Sequence, residues 1–212
     1  DILVNRSDAL FTLTLPPPEG PLVVAPRHPD PTRWYREDDV EFAWELPARA
    51  TSVSYVLSAD PLAAPDDIPE GAKTSVAYRD LSSGTHYFSI KAFRPQSGWG
   101  GVSHVVVNID AEPPAEFPIE VSPRPRTTVR RPTLLFATTD RHSGIDHYVL
   151  QAVRTSANPG EEPLTPFFVE VTSPYVLPEL DLGSYDVVVR AYDLAGNIRE
   201  ARQKLMIAQT LF

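Results

Sequence analysis

The chain has 212 residues, no cysteine, 23 prolines against 10 glycines, and a formal net charge of −9. Without cysteine there is no disulfide framework, zinc ribbon or thiol nucleophile, and a net negative chain is repelled by nucleic acid and anionic membrane surfaces. No run approaches the ~20 apolar residues of a spanning helix, no leader peptide is visible, and the start at Asp1 points to an excerpt of a longer protein.

Residues 10–15 alternate, with Phe11, Leu13 and Leu15 on one face, and run into Pro16-Pro17-Pro18. This strand is either the last of an upstream domain or the first of the domain that follows. Val40, Phe42 and Trp44 then share a face before Pro47, and Val53, Tyr55 and Leu57 alternate next. A Pro/Asp-rich loop covers 60–71. His86, Phe88, Ile90 and Ala92 share a face, and Val105, Val107 and Ile109 close the domain. Ser83-Gly84 and Gly98-Trp99-Gly100-Gly101 read as the turns between these runs. Asp110-Ala-Glu-Pro-Pro114 reads as an interdomain hinge stiffened by its proline pair.

Beyond the hinge, Leu134 and Phe136 alternate, then Tyr148 and Leu150, with Val149 and Val153 on the opposite face. A loop at 155–163 leads to Phe168–Val171, and Tyr185, Val187, Val189 and Ala191 make the best inward face. Asp193-Leu-Ala-Gly-Asn197 reads as a hairpin turn because Gly and Asn tolerate positive φ. Leu205 and Ile207 suit a final edge strand. Arg124, Arg126, Arg130 and Arg131 cluster among prolines and read as a solvated basic turn in a linker.

The second half repeats the first. Gly84, Lys91, Ala92 and Phe93 match Gly183, Arg190, Ala191 and Tyr192 at a constant offset of 99 residues. A period of that length suits a whole small β domain used twice, and the abundance of proline excludes long helices. The expected fold is all-β: an N-terminal strand and Pro-rich linker over 1–24, a β-sandwich over 25–111 and a second over 112–212.

Several stretches resemble known modules. Val40-Glu-Phe-Ala-Trp44-Glu-Leu-Pro47, and Leu81 and Gly84 with the strand to Ala92, resemble fibronectin type III modules. His28-Pro-Asp-Pro31-Thr-Arg-Trp34-Tyr35 looks like the opening of such modules in large bacterial surface proteins. Thr139-Asp140-Arg-His-Ser143-Gly144-Ile145-Asp146 and Tyr192-Asp193-Leu-Ala-Gly196-Asn197 are similar to bacterial Ig-like repeats of exported proteins. The resemblance covers roughly residues 28–209 and speaks to fold more than to function. It implies tandem fibronectin-like and Ig-like sandwiches that space or present neighbouring domains. A tyrosine-corner hydrogen bond is expected only in the second, where Tyr185 stands at the position of His86.

No Gly-x-Ser-x-Gly, His-Glu-x-x-His or glycine-rich phosphate loop occurs. His142 and His147 lack an evident third ligand for a metal. Asp66-Asp67 and Glu161-Glu162 read as solubilising charges, since sequence neighbours point apart. Trp34, Tyr35 and Trp99 are the candidate ligand-binding rings, weighed against packing at the sandwich ends. Asp110, Asp140, Asp146 and Asp193 each lie at a strand end, and hard oxygen ligands from loops suit calcium. Asp at turns is equally expected for local hydrogen bonding, so neither a cofactor nor a tight metal requirement is expected.

The expected function is a non-catalytic spacer or presentation module of a bacterial exported or cell-surface protein, anchored by a segment outside this chain. The competing readings are an adhesin-like or carbohydrate-binding module using Trp34, Tyr35 and Trp99, and accessory domains of a secreted hydrolase. Expected partners are neighbouring domains of the same protein, with an extracellular protein or glycan under the second reading. Nucleic acid and membrane insertion are not expected, and the chain is expected to be monomeric.

Overall fold

A computed structural model describes residues 16–155 and 167–209. The alternating stretch at 10–15 and the loop residues 156–163, with Glu161-Glu162, lie outside the described residues. The chain divides into two compact units. The first takes in the described residues up to Pro31, with Asp39–Arg79 and Thr85–Val107. The second takes in Thr32–Asp38, Asp80–Gly84 and the chain from Asn108. Among the described residues there is no helix, hence none long and apolar enough to cross a membrane.

The first sandwich is built from β1 (Val23–Val24), β2 (Trp34–Tyr35), β3 (Val40–Trp44), β4 (Ser52–Ser58), β5 (Ser75–Tyr78), β6 (Gly84–Arg94) and β7 (Gly98–Ile109). One sheet runs β1-β3-β5 and the other β2-β7-β6-β4. Strict alternation in β3 buries Val40, Phe42 and Trp44. Phe88 on the facing sheet stacks on Phe42 with centroids 4.2 Å apart. Trp44 is 5% exposed and keeps its indole N–H satisfied on the Lys73 carbonyl at 2.9 Å. Burial pushes the Tyr78 hydroxyl up to about 12.

Alternation is less clean in β4, where Ser52 and Ser54 are buried together with Val53. The irregular 60–71 segment folds back over that strand. Gly71 N–H donates to Ser52 Oγ at 2.8 Å, and Ser54 Oγ donates to Asp66 Oδ1 at 2.9 Å. Lys91 Nζ meets Asp67 Oδ1 at 2.6 Å. Asp66 and Asp67 therefore tie the loop down instead of only solubilising it.

Two sequence expectations about this sandwich are corrected. Val23–Val24, counted as linker, is β1, paired with Trp44 and Ala43; two residues are too few to show a period. Gly98–Gly101, read as a turn, opens β7; the turn is Pro95–Ser97, and Gly98 leaves it at φ 81°. The glycines that follow serve a close approach. Gly101 N–H donates to the Pro18 carbonyl at 3.1 Å, and a Cβ on Gly100 would collide with that same carbonyl. The proline run thus lies against the β7 backbone.

The second sandwich comprises β8 (Glu120–Ser122), β9 (Arg126–Thr127), β10 (Thr133–Leu135), β11 (Ile145–Arg154), β12 (Val169–Val171), β13 (Tyr175–Val176), β14 (Gly183–Asp193) and β15 (Ile198–Ile207). Its sheets run β13-β10-β8 and β12-β11-β14-β15-β9. Val121, Leu134 and Leu177 from one side meet Leu150, Val187, Val189 and Leu205 from the other in a single buried cluster. Gly84 and Gly183 open equivalent strands at φ 142° and 145°, so the repeat extends to backbone conformation. Tyr185 makes the expected corner bond, its hydroxyl donating to the Asp181 carbonyl at 2.9 Å.

β15 is not an edge strand, because β9 pairs with it in parallel at Met206 and Ile207. The basic run is likewise part of this sandwich and not of a linker. Arg126 lies in β9, and Arg130 meets Glu179 and Asp181 at 3.1 and 2.7 Å while Nε donates to the Leu180 carbonyl. Both departures arise from pairings of two or three residues, which leave no periodic trace in the sequence.

Candidate functional site

Three of the strand-end aspartates converge. Asp110, Asp140 and Asp193 each offer a carboxylate oxygen, and these oxygens all lie within 4.8 Å of one another. Asp110 is fully buried and Asp193 is 2% exposed, with Asp140 half-buried. All three belong to the second unit. The fourth candidate, Asp146, is exposed and stands apart, its Oδ2 2.8 Å from His147 Nδ1.

Each aspartate is placed by a local turn. The 140–144 loop wraps the Asp140 carboxylate so that His142 and Gly144 N–H donate to Oδ1 at 2.9 and 3.0 Å. Gly144 sits at φ 84°, a left-handed conformation that favours glycine. In the β14–β15 turn, Ala195 and Asn197 N–H donate to Asp193 Oδ1 at 2.9 and 2.8 Å. The two turns are joined by Leu194 N–H donating to the Gly144 carbonyl at 3.1 Å. Asp110 receives Glu112 N–H on Oδ1 and Ser143 N–H on Oδ2, at 3.2 and 3.0 Å.

Asn197 locks this arrangement to the connector. Its side-chain N–H₂ donates to the Asp110 carbonyl at 2.7 Å, the Glu112 carbonyl at 3.2 Å and Asp193 Oδ2 at 2.9 Å. Arg199 Nε donates to the Pro114 carbonyl at 2.8 Å, and Ala115 N–H to the Thr139 carbonyl at 3.0 Å. The sequence marks Asn197 only as a residue tolerant of positive φ. It is instead a buried side-chain clamp, and the turn's left-handed residue is Gly196 at φ 89°.

Crowding separates the carboxylates electrically. Burial, with the neighbouring Asp110 and Asp140 charges, raises Asp193 above the ordinary aspartate value against the opposing pull of Asn197. Burial also pushes on Asp140, but the N–H groups of Gly144, His142 and Ser143 and a bond to Asp110 outweigh it and hold Asp140 below that value.

The aromatic candidates lie on two strands. Trp34 and Tyr35 pair with Asn108 and Ile109 at the end of β7, whereas Trp99 is the second residue of that strand. All three are half-buried. Trp99 packs on Phe93 at 5.1 Å and carries Lys91 Nζ over its ring at 5.1 Å. Arg33 lies 5.7 Å over Tyr35. His142 and His147 also have separate neighbours: His142 Nε2 is 3.8 Å from Glu112, and His147 stacks on Tyr192 at 4.6 Å. Ser89 Oγ and His104 Nδ1 stand 2.9 Å apart, with Ser89 fully buried and His104 exposed.

No protein-family model and no curated protein matches the sequence. Among solved structures the chain is similar to the fibronectin(III)-like modules of Clostridium thermocellum CbhA, at 13% identity and TM-score 0.41, covering 89% of this chain and 95% of that one. It is also similar to domains FN1–FN3 of chicken CNTN1, at 15% identity and TM-score 0.34, covering 90% and 69%. Domains A168–A170 of titin align at 13% identity and TM-score 0.48, covering 84% and 61%. The chain is a tandem of fibronectin type III-like and Ig-like sandwiches, an assignment that rests on its strand order and pairings.

Proposed function

We propose that this chain is a non-catalytic spacer that presents a neighbouring domain of a longer, exported or cell-surface bacterial protein. The observation that carries the reading is the connector. Residues 110–115 are held in place by Asn197, Arg199 and the Thr139 carbonyl. Pro113-Pro114 adds backbone stiffness. A connector built into the module it enters transmits orientation, whereas a free Gly/Ser linker would not. The partners under this reading are adjoining domains of the same protein, the chain itself is monomeric, and the anchor lies in a segment outside it.

The test is a distance distribution between spin labels placed on the two sandwiches, measured by pulsed electron resonance on the full chain. A narrow wild-type distribution that broadens in Asn197→Ala,Arg199→Ala is expected. A wild-type distribution already as wide as that of a Gly/Ser linker of equal length would overturn the spacer role. So would saturable quenching of tryptophan fluorescence by oligosaccharides that disappears in Trp99→Ala, which would favour a carbohydrate-binding module.

A further inference from the structure

The three clustered carboxylates, two buried and one half-buried, pose a charge problem that their hydrogen bonds do not solve. Among the described residues, seven N–H donations reach Asp110, Asp140 and Asp193, besides the pull of the Ser143 N–H on Asp140 and the bond between Asp140 and Asp110. Three carboxylates offer roughly twelve lone-pair positions. Among the described residues, none of the three is ion-paired with Lys, Arg or His. Oxygens within 4.8 Å of one another therefore keep open lone pairs, and while water can hydrogen-bond to these, only a proton or a cation offsets the repulsion between the charges.

A second observation points the same way. Ser143 is 7% exposed and its hydroxyl has no hydrogen-bond partner among the described residues. A buried hydroxyl without a partner costs stability and calls for an explanation. Ser143 sits in the loop that wraps Asp140, and its own N–H is aimed at Asp110 Oδ2 from 3.0 Å. Covalent geometry keeps Oγ within ~4 Å of that nitrogen, which places the unpartnered hydroxyl beside the carboxylates.

We propose that Asp110, Asp140 and Asp193, with the Ser143 hydroxyl, form a calcium site at the entrance to the second sandwich. The donor set is all oxygen, which selects a hard cation over zinc or copper. Calcium holds oxygens at ~2.3–2.6 Å, so the oxygens that share one ion lie no more than ~5 Å apart, a limit these three meet. Asp110 enters from the connector, Asp140 from the loop before β11 and Asp193 from the end of β14. One ion would cross-link three segments that are far apart in sequence. This replaces the sequence expectation of no metal requirement, and it stands independently of the spacer reading.

The test uses the full chain, stripped with chelator and titrated with calcium chloride by calorimetry and by thermal melting. One calcium per chain is expected, with the melting of the second sandwich rising by several degrees at millimolar calcium through mass action. The absence of both heat and shift would overturn the site, and so would an equal response to magnesium. Asp193→Asn is expected to abolish binding but also disturbs the turn, so Ser143→Ala provides the cleaner variant. It removes a hydroxyl with no partner, so calcium-free melting should hold or rise while calcium binding weakens several-fold. Unaltered calcium binding in Ser143→Ala would remove the hydroxyl from the site. A chain that ignores calcium but melts higher on mild acidification would show that a proton, not a cation, neutralises the cluster.

Discussion

Arg94 and Asp193 occupy matching positions at the ends of β6 and β14, 99 residues apart, and both hold the segment that leads into their sandwich. They do so by different chemistry. Arg94 reaches over the surface, its two terminal nitrogens donating to the Pro16 and Ala48 carbonyls at 3.0 and 2.9 Å. Asp193 works through a neighbour: it fixes Asn197, whose buried amide holds the Asp110 and Glu112 carbonyls. Arg94 is half-buried with Nε enclosed, but its two bonds lie in the open and can be exchanged for water at little cost, whereas those of a buried amide cannot. The same repeat position thus yields a surface strap in one sandwich and an interior lock in the other.

The core should break that parallel most strongly. Trp44→Ala removes a ring packed on Phe88 and Tyr55, at a cost of ~3–5 kcal/mol. The first sandwich is expected to unfold while the second keeps its own transition. Trp44 and Trp99 lie in the first compact unit and Trp34 in the second, so Trp99 fluorescence, read in a Trp34→Phe background, follows the first transition separately. An unchanged fluorescence melt would refute the anchoring role of Trp44.

The two clamps should then differ in cost. Asn197→Ala strands buried carbonyls and is expected to destabilise the second sandwich by ~1–3 kcal/mol and to open residues 110–116 to proteolysis. Arg94→Ala, whose bonds are exposed, should cost the first sandwich about 1 kcal/mol or less. Equal losses in urea melts of the two variants would erase the distinction between strap and lock.

An effect as small as that of Arg94→Ala belongs to the tyrosine corner, present at Tyr185 and replaced by His86 in the first repeat. Tyr185→Phe keeps the ring and deletes only the bond to the Asp181 carbonyl, so a loss of ~1 kcal/mol is expected in chemical denaturation. A loss above that of Asn197→Ala would mean that the corner, not the connector clamp, holds this sandwich together.

The sequence by itself determined which residues face inward. Val40, Phe42 and Trp44, and Tyr185, Val187, Val189 and Ala191, declare their faces through a period of two that each strand carries alone. The tyrosine corner was expected from the resemblance to Ig-like modules, and its acceptor lies only four residues back. Tertiary structure decided what meets across long separations. Gly100 is needed because Pro18 crosses it, β15 is covered because two residues of β9 pair with it, and Asn197 matters through carbonyls more than eighty residues away. The aspartates at 110, 140 and 193 could be marked one by one as strand-end residues. Their convergence depends on the register of β11, β14 and β15, and register is set by the pairing of whole strands, which no single segment encodes.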